Sequence, residues 1–161
     1  IGVLGGLLSA MLLGFFEEPL SQVTAVAFFI PLITATGGNV GIQSSSIVVQ
    51  GLANKSAFDD TISTQILKSL VVSILNGIAI CIFVLILVYA FKQDPKLAMV
   101  VGLAIFTVVI ISSLMGTITP LVLDKFDINP AVASGPFITT VNDILGIAIY
   151  FSVVKLLFLN L

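Results

Sequence analysis

Long apolar runs alternate with short charged connectors along this chain. The apolar stretches cover about 1–16, 20–53, 66–91, 97–123 and 130–159. Each of the last four exceeds the roughly 20 residues that a spanning helix needs. The first is short and stops at Glu17-Glu18-Pro19. Most of the charge sits in Asn54-Lys55-Ser56-Ala57-Phe58-Asp59-Asp60, Lys92-Gln93-Asp94-Pro95-Lys96 and Asp124-Lys125-Phe126-Asp127-Ile128-Asn129. The pattern predicts an all-α integral membrane protein with five transmembrane helices in one domain, 1–161. Asn129-Pro130 predicts an N-cap followed by proline at the first helical position. The second stretch is too long for one straight span, and Pro31 with Gly37, Gly38 and Gly41 predicts a break or kink in it.

Polar residues inside those runs mark where the helices meet something other than lipid. Asp143 is the only Asp, Glu, Lys or Arg in the last run before Lys155. A carboxylate at bilayer depth costs at least roughly 2.5–3.5 kcal/mol, which makes it a functional candidate by default. On a helix, Gly135, Thr139, Asp143 and Gly146 share one stripe. In the second run, Thr36, Asn39, Gln43, Ser46 and Gln50 form a second polar stripe. Gly37, Gly41 and Ser45 repeat every four residues, a small face that lets another helix approach closely. Ser69, Ser73 and Asn76, and Ser113, Gly116, Thr117 and Pro120, read as packing positions. Lys68 reads as a snorkelling side chain. Glu17 and Glu18 read as a solvated helix end, with a cation-recruiting mouth as the sharper alternative.

Composition narrows the chemistry. Only 9% of the 161 residues are charged and 58% are hydrophobic, where roughly a quarter charged is usual for soluble domains. Histidine is absent and Cys81 stands alone, so zinc, copper and iron sites and a disulfide framework are not expected. A net charge of -2 offers no basic patch for nucleic acid. An intramembrane aspartyl hydrolase needs two carboxylates sharing a proton, and one chain supplies only Asp143. The chain is therefore not expected to be an enzyme. Lysines divide three against three between the two sides, so the positive-inside rule gives no orientation. The start at Ile rather than Met points to a fragment or a trimmed chain, and no basic segment marks a signal peptide.

Pro31, then Gly38-Asn39-x-Gly41-x-Gln43-Ser44, then Gly51-Leu52-Ala53, resembles the signature of MgtE-type magnesium transporters. So does the last run, with Asn129-Pro130-Ala131, Ser134-Gly135-Pro136 and Asp143-x-x-Gly146. The resemblance spans essentially the whole chain. It implies a homodimer with a cation pore at the two-fold axis, lined by the second and fifth helices. It implies that Asp143 binds Mg²⁺ in the pore, with Gly38, Gly135 and Thr139 along it. Asn39 joins this set of metal-site candidates through its amide, and Gln43, Ile42 and Asn142 are pore-lining candidates. The chain departs from some members at Asn129, where they have Asp, at Gly135, where they have Asn, and at Ile42. Cytosolic regulatory domains that members commonly carry are not expected within these residues. The resemblance also implies a multi-pass protein of the cell membrane, of the bacterial inner-membrane kind, with a cytosolic N-terminus.

The chemistry agrees with magnesium. Mg²⁺ wants octahedral oxygen and gives up water reluctantly. One carboxylate per subunit, doubled by a two-fold axis, sets two negative charges against one divalent ion. The expected activity is a Mg²⁺-selective channel or transporter core passing a largely hydrated ion. A sodium- or proton-coupled Mg²⁺ exchanger is the alternative, with Asp143 as its coupling site. A membrane subunit without transport of its own is a further alternative.

Overall fold

The structure is a computed structural model that describes residues 2–16, 24–54, 62–92, 94–133 and 135–159. Helix α1 covers Gly2–Gly14, α2 covers Ile30–Ala53, α3 covers Ile62–Lys92, α4 covers Pro95–Lys125 and α5 covers Pro136–Val154. A single helical turn, Thr24–Ala27, leads into α2, a 3-10 turn at Pro130–Ala133 precedes α5, and a wider turn at Lys155–Leu159 follows it. Four segments are long and apolar enough to cross a membrane: Thr24–Ala53, Ile62–Lys92, Pro95–Lys125 and Pro136–Leu157. The described α1 has 13 residues, about 20 Å at 1.5 Å per residue, which is short of a hydrocarbon core of about 30 Å. Five spans were expected, and four described helices reach that length.

Helix α4 is the hub. Its buried positions run from Leu97 to Leu121. Helices α2, α3 and α5 all pack on it, α2 packs on α5, and α1 rests on α5. Asp94 starts α4 by accepting hydrogen bonds from the amides of Lys96 (2.9 Å) and Leu97 (3.0 Å). Pro95 then occupies the first turn, where no intrahelical partner for its missing N–H is needed. A chain of hydroxyls ties three helices together. Ser44 bonds Ser113 at 3.0 Å, and Ser69 bonds Ser113 at 3.1 Å and Thr117 at 2.6 Å. At the other end of α5, the buried Tyr150 hydroxyl donates to the carbonyl of Val26 at 2.8 Å. Phe16 stacks on Phe151 with ring centroids 5.0 Å apart, which holds the end of α1 to α5.

Two expectations about breaks are corrected. Helix α2 runs unbroken through Gly37, Gly38 and Gly41, and its interruption falls at Phe28-Phe29, before Pro31. Pro31 sits in the first turn of α2, where proline is tolerated, so it opens the helix and does not kink it. The last run is not one helix from Pro130. Asn129 Oδ1 does accept from the amide of Ala131 at 3.0 Å, but the turn it caps ends at Ala133. The chain reverses at Gly135, with φ 67° and ψ -131°, and α5 begins at Pro136. A residue before proline is driven from helical geometry, and glycine accepts the positive φ.

Candidate functional site

The site forms where α2 and α5 cross. Gly38 on α2 faces Asp143 and Thr139 on α5. A β-carbon placed on Gly38 would stand 3.4 Å from Asp143 Oδ1 and 3.5 Å from Thr139 Cγ2. Gly38 itself is buried, while Asp143 and Thr139 are half-buried. The carboxylate therefore lies against bare helix backbone. Among the described residues, no group of three His, Cys, Asp or Glu side chains is near enough to hold a metal. Asp143 is the carboxylate that faces Gly38 here.

Thr139 is fixed by the turn beneath it. Its amide donates to the Gly135 carbonyl at 3.1 Å. Its hydroxyl proton is directed to the carbonyls of Gly135 (3.3 Å) and Pro136 (3.1 Å). With that proton engaged, the Thr139 oxygen presents lone pairs, as a carboxylate does. Such a surface can accept hydrogen bonds from water. The Gly135 carbonyl accepts from both the amide and the hydroxyl of Thr139 inside α5.

The other expected residues separate into three groups. Asn39 and Gln43 are exposed on the single chain, and Ile42 is half-buried beside Gly38 and Gly41. On the same polar stripe of α2, Thr36 and Ser46 are half-buried and Gln50 is exposed. Asn142, expected on the pore lining, is instead completely buried between α2 and α5. Its amide nitrogen rests directly on Gly41, and Ile138 Cγ2 would lie 2.9 Å from a β-carbon there. Glu17 and Glu18 lie outside the described residues.

The small face of α2 was expected to let another helix approach closely, and it does so within the chain. Gly37 meets Val108 and Ser112 of α4, Gly41 meets Asn142 of α5 and backs onto Gly116 of α4, and Ser45 is buried. The face is spent inside the chain. The Tyr150–Val26 clasp was missed altogether, although a tyrosine in an apolar run signals a hydroxyl in need of a partner.

The arrangement is that of an all-helical protein with four described segments long and apolar enough to cross a membrane, in which a carboxylate on α5 faces bare backbone on α2. The MgtE family profile, described as a divalent cation transporter, matches residues 30–153, from the start of α2 almost to the end of α5. The chain belongs to that family. It is 38% identical over 148 residues to the magnesium transporter MgtE of Bacillus subtilis, covering 92% of this chain and 33% of that relative. It is 34% identical over 151 residues to the Enterococcus faecalis protein of the same name, covering 94% and 33%. With the Thermus thermophilus protein of that name the identity is 33% over 155 residues, covering 96% and 34%. The chain spans about a third of the length of each of these relatives.

Proposed function

We propose that this chain is the ion-passing membrane core of a Mg²⁺ transporter, set in the cell membrane. The observation that carries the reading is the Asp143 carboxylate resting on bare backbone at Gly38, with Thr139 one turn away. Mg²⁺ keeps most of its water, so the ion passes largely hydrated and Asp143 acts through water protons. Thr139 serves as a neutral acceptor on the same route, and Asn39 and Gln43 supply amides near it.

Two chains related by a two-fold axis complete the site in this reading. Closed two-fold symmetry is the commonest arrangement of homo-oligomers. Asn39, Gln43 and Gln50 are exposed on the single chain, and an amide at bilayer depth needs a partner or water. A second copy facing this stripe encloses it and sets two Asp143 carboxylates against one divalent ion.

Asp143→Asn tests the function. It keeps the side-chain volume and removes the charge. Mg²⁺ uptake in a strain that depends on added magnesium is expected to be lost, with membrane insertion intact. Uptake near the unmutated level refutes the assignment.

A further inference from the structure

Asn142 is completely buried, and among the described residues neither its Oδ1 nor its Nδ2 has a hydrogen-bond partner. Both atoms are also closed to a water-sized sphere. A bridging water needs room for itself and two or more polar neighbours, and these atoms have none. On one side the amide nitrogen rests on Gly41; on the same α2 face, the backbone carbonyl oxygen of Asn142 would lie 3.6 Å from a β-carbon at Gly37. An amide desolvated without a bond in return weakens the packing that contains it.

We infer that Asn142 is a positioning residue for Asp143, setting the balance between two packings of α5 on the glycine face of α2. The inference rests on the pathway reading above. The described packing leaves the amide unbonded. In the other, a small slide of α5 brings Nδ2 onto a backbone carbonyl of that face. Glycine leaves the carbonyls uncovered, and each has a second lone pair beyond its helix bond. Shifts of about 1–2 Å between packed helices are ordinary in switching proteins. Asp143 follows Asn142 directly and faces Gly38, so the slide carries the carboxylate along the route.

Asn142→Leu separates this from plain packing. Leucine has the same branched outline, relieves the described packing of its unbonded amide, and removes the bond that favours the other. The variant is expected to melt at higher temperature in detergent while maximal Mg²⁺ flux falls about tenfold, equivalent to about 1.4 kcal/mol between the packings. The Mg²⁺ concentration giving half-maximal flux should stay unchanged. Asn142→Thr covers the case in which leucine prevents folding. Its hydroxyl can bond its own helix four residues back, as Thr107 and Thr119 do here, and it should lower flux in the same way. Flux at the unmutated level in the folded variants overturns the inference. So does a fall in melting temperature in both, which means the amide is bonded in the resting protein. Asp143→Asn is measured alongside. If it keeps its flux, the pathway reading falls; if it loses flux while Asn142→Leu does not, only the positioning role falls.

Discussion

Gly38 and Gly41 lie almost one turn apart on α2 and meet the same neighbouring helix, yet a methyl group added at each has a different consequence. At Gly38 the new carbon would stand at ordinary contact distance, 3.4 Å from Asp143 Oδ1. At Gly41 it would overlap the Asn142 amide and press within 2.9 Å of Ile138. Gly38→Ala should therefore fold normally and reduce Mg²⁺ flux by crowding the carboxylate. Gly41→Ala should destabilise by about 1–3 kcal/mol, the usual effect of overpacking. Thermal melting in detergent beside uptake in cells separates the two. Equal loss of stability at both positions contradicts the division of the α2 surface into a route and a packing face. Asp143 and Thr139 were legible in the sequence because an acid at bilayer depth is costly and a helix places residues four apart together. Asn142 was not, because its type marks it as polar but its neighbour Asp143 gives no hint which of the two faces inward.

At the scale of helices, charged connectors and apolar length located three long spans to within a few residues, while the last begins at Pro136 instead of Pro130. The breaks were harder. Pro31 was read as a kink because it lies within an apolar run, but only the start of α2 decides whether a proline opens or bends a helix. Gly135-Pro136 held the information for the second break, since the residue before a proline avoids helical geometry. The face formed by Gly37, Gly41 and Ser45 was legible as a close-approach surface, but periodicity does not say which helix covers it. The Tyr150–Val26 bond supplies a test at this scale. It joins α5 to the turn before α2 across 124 residues of sequence. Tyr150→Phe removes the donor and leaves a buried carbonyl without it. A loss of about 0.5–1.5 kcal/mol is expected. No change in melting temperature contradicts the clasp.

For the whole molecule, the decisive feature is scarcity of charge. In the proposed reading, the Asp143 carboxylate of each chain, the Thr139 oxygen beside it and the polar stripe on α2 fit a hydrated divalent ion shared by two subunits. A tight cage would need more anionic oxygen than the described spans hold. Cobalt(III) hexaammine resembles hydrated Mg²⁺ and does not shed its ligands, so it should compete with Mg²⁺ and block flux. Failure to compete, while flux still needs Asp143, favours direct binding of a dehydrated ion. The most direct measurement is an experimental structure of the protein in a lipid bilayer at high Mg²⁺. The account predicts a two-fold dimer with Mg²⁺-dependent density on the axis, between paired Asp143 carboxylates and separated from them by water. A monomeric active species, or an axis density that remains unchanged in Asp143→Asn, contradicts it.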